Sequence, residues 1–298
     1  MKTNMGFKKQ MSELAYVLAM EVFMGKVDLH VHTTFSDGNL SPWEVVEKGY
    51  NKKLQALGIT DHDTMQGISG AQTAGRKFGI EIIPGFEFST DYEGNELHIL
   101  GYYCKQDNIN LIEMLNTVKS SRFDRMVAMV EKIKKLGLKI DLSDILNTVK
   151  GDIFGRPHLA AVLCQKGYCK SSREAFERYI GKGCPAYVER FKVNTFEGID
   201  MIVRAGGIPV LAHPGIYGAD EMIPSLKNGG LSGIEVFHPD HDLDAIFRYK
   251  KIASDYNLII TGGSDFHGEE IGSASQLGNV TVGYSCVEKM KSIQKTLQ

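Results

Sequence analysis

Val27-Asp28-Leu29-His30-Val31-His32 reads as a short strand that ends in two histidines. Side chains alternate across a strand, so His30 and His32 share one face. Packing gives no reason for two imidazoles there, because buried polar rings are costly unless paired. The chain continues through Phe35-Ser36-Asp37-Gly38 to Ser41-Pro42, which opens an amphipathic helix running to Lys53. Strand, loop and helix in that order set the expectation for the rest of the chain.

Working outward, short apolar runs alternate with amphipathic segments. Strands are predicted over Ala56–Thr60, Ile80–Ile83, Leu97–Tyr103, Ile208–Ala212, Gly233–Phe237 and Leu258–Thr261. Helices are predicted over Ser69–Phe78, Phe196–Ala205 and Asp244–Tyr256. This is the pattern of an α/β protein with a parallel sheet and crossover helices. Residues 108–190 differ, being helical almost throughout, with Met126–Leu136 as the clearest amphipathic stretch and Gly155-Arg156-Pro157-His158 opening a further helix. The expected layout is an N-terminal extension (1–25), a first barrel part (26–107), a helical insertion (108–190) and a second barrel part (191–298). The extension places Lys2, Lys8 and Lys9 before an apolar run of only seven residues, Leu14–Met20. That run is short for a signal core, and the segment reads as a loosely docked helix, with Met24 as an alternative start.

The 298 residues carry 34 Lys and Arg against 36 Asp and Glu, a formal net charge of -2. So balanced a chain has no global field to draw in nucleic acid or an anionic membrane, and any anion selectivity must be local. No stretch approaches the roughly 20 apolar residues of a membrane span. The five cysteines are odd in number and none are spaced C-x-x-C, which argues against a disulfide framework or zinc finger and for a reducing, cytoplasmic setting.

Most of the nine histidines lie in or just after a predicted strand. His62 follows the second strand in Thr60-Asp61-His62-Asp63, Glu87 lies in Pro84-Gly85-Phe86-Glu87, and His98 lies within the next strand. His213 follows Pro209-Val210-Leu211-Ala212, and Gly263-Ser264-Asp265-Phe266-His267 follows the last. A parallel barrel gathers the C-terminal ends of its strands at one rim, where catalytic groups collect. Six imidazoles and three carboxylates without a thiolate suit divalent zinc, manganese or iron. Nine donors exceed what one ion takes, so a cluster of two or three ions bridged by a carboxylate is expected. Asp28 and Asp61 are expected to support the ligands rather than bind metal.

Asp28-Leu29-His30-Val31-His32-Thr33, Ser36-Asp37-Gly38, Thr60-Asp61-His62-Asp63, Pro84-Gly85-Phe86-Glu87, Ala212-His213-Pro214 and Gly263-Ser264-Asp265-Phe266-His267 together resemble the PHP (polymerase and histidinol phosphatase) family. The resemblance covers roughly residues 26–285. It is closest to the stand-alone bacterial branch that includes nucleoside 3′,5′-bisphosphate phosphatases and the RNase AM group. It implies a distorted (β/α)7 barrel, TIM-like, holding three divalent ions, Mn2+ first and Zn2+ or Fe2+ as alternatives. By that resemblance His30, His32, Glu87 and Asp265 hold one ion. Asp37, His62 and His267 hold a second, and Glu87, His98 and His213 hold a third.

Charge then suggests the reaction. Three divalent ions against Asp37, Glu87 and Asp265 leave a surplus of about three positive charges, or about two with a hydroxide, which a phosphomonoester dianion neutralises. The expected enzyme is a metal-dependent phosphoric ester hydrolase that uses a metal-activated hydroxide. Its substrate is expected to be a small phosphorylated metabolite, above all a nucleotide, with short RNA 5′ ends as an extension. Glu87, His213, His241 and Asp265 are the catalytic candidates. Arg156, His158, Lys182 and His241 are the substrate contacts, Arg156 because guanidinium pairs bidentately with phosphate. His241 is preferred to His238 as contact or proton donor. Alternatives are a histidinol-phosphate phosphatase, a metal-dependent amidohydrolase, or a non-catalytic module serving a polymerase. The last predicts lost ligands and an attached polymerase domain, and this sequence carries neither.

Overall fold

A computed structural model of the chain describes residues 25–149, 151, 153–268 and 275–297. Apart from Gly25, the expected N-terminal extension lies outside the described residues.

The sheet has eight strands of mixed direction, seven of which close into a ring. β1 (Lys26–Asp28), β2 (Ala56–Ile59) and β3 (Glu81–Tyr92) pair in parallel, joined by α1 (Pro42–Asn51) and α2 (Gly67–Phe78). Ser41 caps α1 in a reciprocal capping box with Glu44, as its Ser-Pro start predicts. β5 (Ile208–Leu211), β6 (Gly233–Phe237) and β7 (Ile259–Gly262) form the second parallel set. Between the sets runs β4 (Asn95–Tyr102), antiparallel to both β3 and β5. The ring closes where Leu29 N–H donates to Gly262 O at 3.2 Å and Val31 bridges Phe266 in parallel. A short β8 (Val282–Gly283) adds to β1 in antiparallel fashion. The fold is the expected distorted, TIM-like barrel.

Two expectations need correction. The sheet is not wholly parallel, because only Glu93 and Gly94 connect β3 to β4 and a parallel crossover needs about a dozen residues or more. Both connecting residues have positive φ, +50° and +89°, as a tight hairpin requires. β3 also does not stop at Ile83. It pairs with β2 as far as Pro84, which has no N–H to donate, and from Gly85 onward pairs with β4.

The apolar residues sort by face. Phe86, Phe88, Leu97 and Ile99 point outward and join Leu111, Leu115 and Val118 of α3 (Ile109–Lys135). On the opposite face Leu100 and Tyr102 join Ile208, Val210 and, from the C-terminal helix α11 (Ser285–Leu297), Val287 and Met290. Further along α3, Met126, Met129, Val130 and Ile133 belong to a separate cluster with Leu159 and Leu163 of α5 (Arg156–Gln165). We infer that the insertion as a packing unit begins midway along α3, near Arg122, rather than at residue 108. No described helix is long and apolar enough to cross a membrane.

Candidate metal centre

Glu87, carried by β3 on the face opposite Phe86 and Phe88, is fully buried at the meeting point of five imidazoles. Its Oε1 lies 2.8 Å from His98 Nδ1 and 2.9 Å from His213 Nε2. Its Oε2 lies 3.0 Å from His62 Nδ1, 3.3 Å from His32 Nε2 and 3.4 Å from His30 Nε2. Asp265 Oδ1 closes on His32 Nε2 at 3.1 Å and His30 Nε2 at 3.3 Å, while Asp37 Oδ1 faces His267 Nε2 at 3.3 Å. The nine sequence-predicted groups therefore converge. His98 reaches the cluster from within its strand because β4 runs backward and sets His98 opposite Ser89, two residues beyond Glu87.

The local backbone is shaped for this. Asp61 accepts from Thr33 N, Thr33 Oγ1 and Ser36 Oγ at 2.7–2.8 Å and so holds the loop that carries Asp37. Asp28 accepts from Ser264 N at 2.9 Å, Ser264 Oγ at 2.6 Å and Gly278 N at 2.8 Å, and so holds the loop that carries Asp265 and His267. These two acids do support the site, but through the backbone rather than by orienting an imidazole. Burial pushes both up to about 6 against those hydrogen bonds. Gly263 is required because a Cβ would stand 2.3 Å from His30 N. His213 (φ 28°) and Asp265 (φ 48°) occupy backbone conformations uncommon for residues with a Cβ, which is the kind of strain that aims side chains at functional sites.

The donor set fits cations. Among the described residues, six buried atoms of the cluster have no hydrogen-bond partner: His30 Nε2, His32 Nδ1, Asp37 Oδ1, His62 Nδ1, Glu87 Oε2 and His213 Nδ1. Buried polar atoms left in this way are costly, and divalent ions would satisfy those that face Glu87 and Asp37. Three groupings have ligand atoms within 4.8 Å of one another: His30, His32, Glu87 and Asp265; His32, Asp37, His62 and His267; and His62, Glu87 and His98. Burial would raise Glu87, but the His62, His98 and His30 charges outweigh it and hold the carboxyl well below its usual range. Asp37 and Asp265 are depressed in the same way. Burial pulls His98 and His267 down, yet Glu87 lifts the first to about 9 and Asp37 lifts the second to about 10. His32 goes the other way, to about 4, through burial and the charge of His267.

The chain matches the PHP domain family over residues 28–189. It is 34% identical over 247 residues to a 5′-3′ exoribonuclease of Haemophilus influenzae, covering 81% of this chain and 90% of that one. The chain belongs to the PHP domain family. Identity to a 3′,5′-nucleoside bisphosphate phosphatase of Chromobacterium violaceum is 29% over 272 residues, covering 85% and 93% of the two chains. A solved structure from Bifidobacterium adolescentis, described as a metal-dependent phosphoesterase, superposes with a TM-score of 0.83 at 29% identity, covering 90% of this chain and 96% of that one. This PHP protein is an enzyme of the phosphoric ester hydrolase class and depends on divalent metal.

Around the PHP centre the other predicted contacts separate. Arg156, at the start of α5, lies over the Phe176 ring at 5.2 Å and its charge is felt by Glu96, which lies 3.3 Å from His98 Nε2. His158 feels the charge of Asp37 and lines, with Asp37, Asn147 and Gln165, a cleft of about 570 Å³ between rim and insertion. Lys182 is exposed, its charge felt by Glu189, and among the described residues no contact ties it to the cluster.

His241 requires a correction. Its Nδ1–H donates to Val236 O at 2.9 Å and its Nε2 accepts from Gly215 N at 3.1 Å, so backbone occupies both nitrogens and neither is free to donate to substrate. His238 lies nearer the chemistry, with Nε2 at 3.4 Å from Asp265 Oδ2.

Four side chains beside the centre, Arg122, Glu96, Arg190 and Glu235, were missed from the sequence. Arg122 binds Asp63 Oδ2 through Nε at 2.7 Å and donates to Ser89 Oγ at 2.9 Å. Arg190 pairs with Glu96 at 3.3 Å. Arginines scattered along helices and loops carry no sequence signal for such grouping. Glu235 had one: it is the lone charge in the otherwise apolar strand Gly233-Ile234-Glu235-Val236-Phe237.

Proposed function

We propose that this PHP phosphoesterase removes a terminal phosphate from a nucleotide, the best substrate being a nucleoside 3′,5′-bisphosphate, with short 5′-phosphorylated RNA as an extension. The convergence of His30, His32, His62, His98 and His213 on the single carboxylate of Glu87 carries the reading. In it, His30, His32, Glu87 and Asp265 hold one ion, Asp37, His62 and His267 a second, and Glu87, His98 and His213 a third. The family resemblance puts Mn2+ first, and imidazole and carboxylate donors without sulfur suit Zn2+ or Fe2+ as alternatives. Bound divalent ions supply Lewis-acid polarisation of the phosphoryl oxygens and acidify water for attack.

The chain's own residues add the substrate selection. Arg122, Arg125, Arg156 and Arg190 lie around Asp63 and Glu96, so four guanidinium charges meet two carboxylates beside His98. Burial first, and then the charge of Arg156, pull Arg125 down to about 10. The excess of guanidinium charge supports Arg156 as the grip for a second phosphate. It disfavours histidinol phosphate, whose ammonium group would be repelled there. The cleft beside Asp37 and His158 supports room for a nucleoside. All five cysteines are free, consistent with a proposed cytoplasmic setting.

The test is phosphate release from chelator-treated protein across a nucleoside 3′,5′-bisphosphate, a 5′-mononucleotide, 5′-phosphorylated RNA and histidinol phosphate. Chelation should abolish turnover, Mn2+ should restore it, and the bisphosphate should show the highest kcat/KM. Turnover that persists without divalent metal, or hydrolysis of amides and not of phosphate esters, would overturn the reading.

A further inference from the structure

We propose that Glu235 is a positioning residue of this centre, one carboxylate that sets both the ring of His30 and the backbone of His213. The inference rests on the metal reading above. Glu235 lies in β6 and is fully buried, and a buried carboxylate is tolerated only where partners repay its desolvation. Its partners are two of the residues that converge on Glu87. His30 Nδ1 lies 3.1 Å from Glu235 Oε1 and 3.2 Å from Oε2, and His213 N–H donates to Oε2 at 2.9 Å.

A neutral imidazole has one N–H and one lone pair. With Nδ1–H held by Glu235, the lone pair of His30 falls on Nε2. That atom faces Glu87 Oε2 at 3.4 Å and Asp265 Oδ1 at 3.3 Å and has no hydrogen-bond partner among the described residues. The carboxylate therefore selects both the ring orientation and the tautomer a cation needs, and its charge makes that nitrogen a stronger donor. The second contact acts on conformation. His213 leaves β5 with φ 28° and ψ 56°, and the bend that turns its Nε2 toward Glu87 Oε1 would strand its N–H but for Glu235. A carboxylate has acceptor capacity for both donors, whereas a carboxamide has one acceptor oxygen and no charge.

Glu235→Gln preserves shape, and the readouts are metal content, metal affinity and the imidazole resonances of Zn2+-loaded, 15N-histidine-labelled protein. In the parent, His30 should be bound through Nε2, with a protected Nδ1 proton at low field. In the variant that proton should move upfield or vanish. One ion per chain should bind about 10–100-fold more weakly. The thermal midpoint of the metal-free variant should remain near that of the parent. A merely structural carboxylate would shift the midpoint and leave every ion affinity and the resonance alone, and that result would overturn the proposal. So would parent protein with His30 bound through Nδ1, a measurement that holds even if the variant fails to fold. If the parent takes up no metal, the metal reading and this one fall together. If it does and the variant matches it, only this one falls.

Discussion

Glu87 divides its work between two oxygens. Oε1 serves His98 and His213, whereas Oε2 faces His30, His32 and His62. The division makes the site separable by mutation. His98→Ala or His213→Ala removes a donor from the Oε1 side alone. Each variant should lose about one ion per chain and on the order of 100-fold in turnover while keeping its fold. Elemental analysis beside a phosphate-release assay measures both. Parental metal content and rate in both variants would mean that the Oε1 side holds no ion.

At the level of elements, α3 decides how the insertion meets the barrel. Its first half packs on the outward face of β3 and β4, its second half on α5. Where the packing partner changes, Arg122 reaches the fully buried carboxylate of Asp63, next to His62 in sequence. Burial would lower the Arg122 guanidinium, but Asp63 outweighs it and holds it above its ordinary value. Arg122→Ala leaves that carboxylate unpaired and should cost about 3 kcal/mol of stability. The double variant Arg122→Ala, Asp63→Asn should recover part of the loss. Chemical denaturation of the three proteins measures it, and an unchanged midpoint in Arg122→Ala would remove Asp63–Arg122 as the joint between insertion and rim.

For the whole molecule, ring closure compresses charges that the extended chain keeps apart, and pH should reveal it once metal is removed. Folded His98 is lifted to about 9 and His267 to about 10, against an ordinary 6.5. A histidine raised on folding contributes stability fully present below about pH 6.5 and lost as pH rises through the folded value. The thermal midpoint of chelated protein should therefore fall between about pH 6.5 and about pH 10, and less so with Mn2+ bound, because bound metal takes the place of those protons. A metal-free protein that gains stability over that window would contradict the assignment. Much of the architecture was legible beforehand. Alternation put His30 and His32 on one face, short apolar runs marked the strands, and the nine donors each lay in or near a strand end, because periodicity and composition are local properties. The reversal of β4 was obscured because Leu97–Tyr103 looks like any other strand, and only the two-residue Glu93-Gly94 turn forces it back. His241 and Glu235 were misjudged or overlooked for one reason: which partner fills a buried nitrogen or carboxylate depends on strands distant in the chain. Sequence alone thus determined which donors this protein has and the elements that carry them. Tertiary structure decided their meeting on Glu87 and which of them the backbone had already claimed, because hydrogen-bond partners are assigned by closure of the ring.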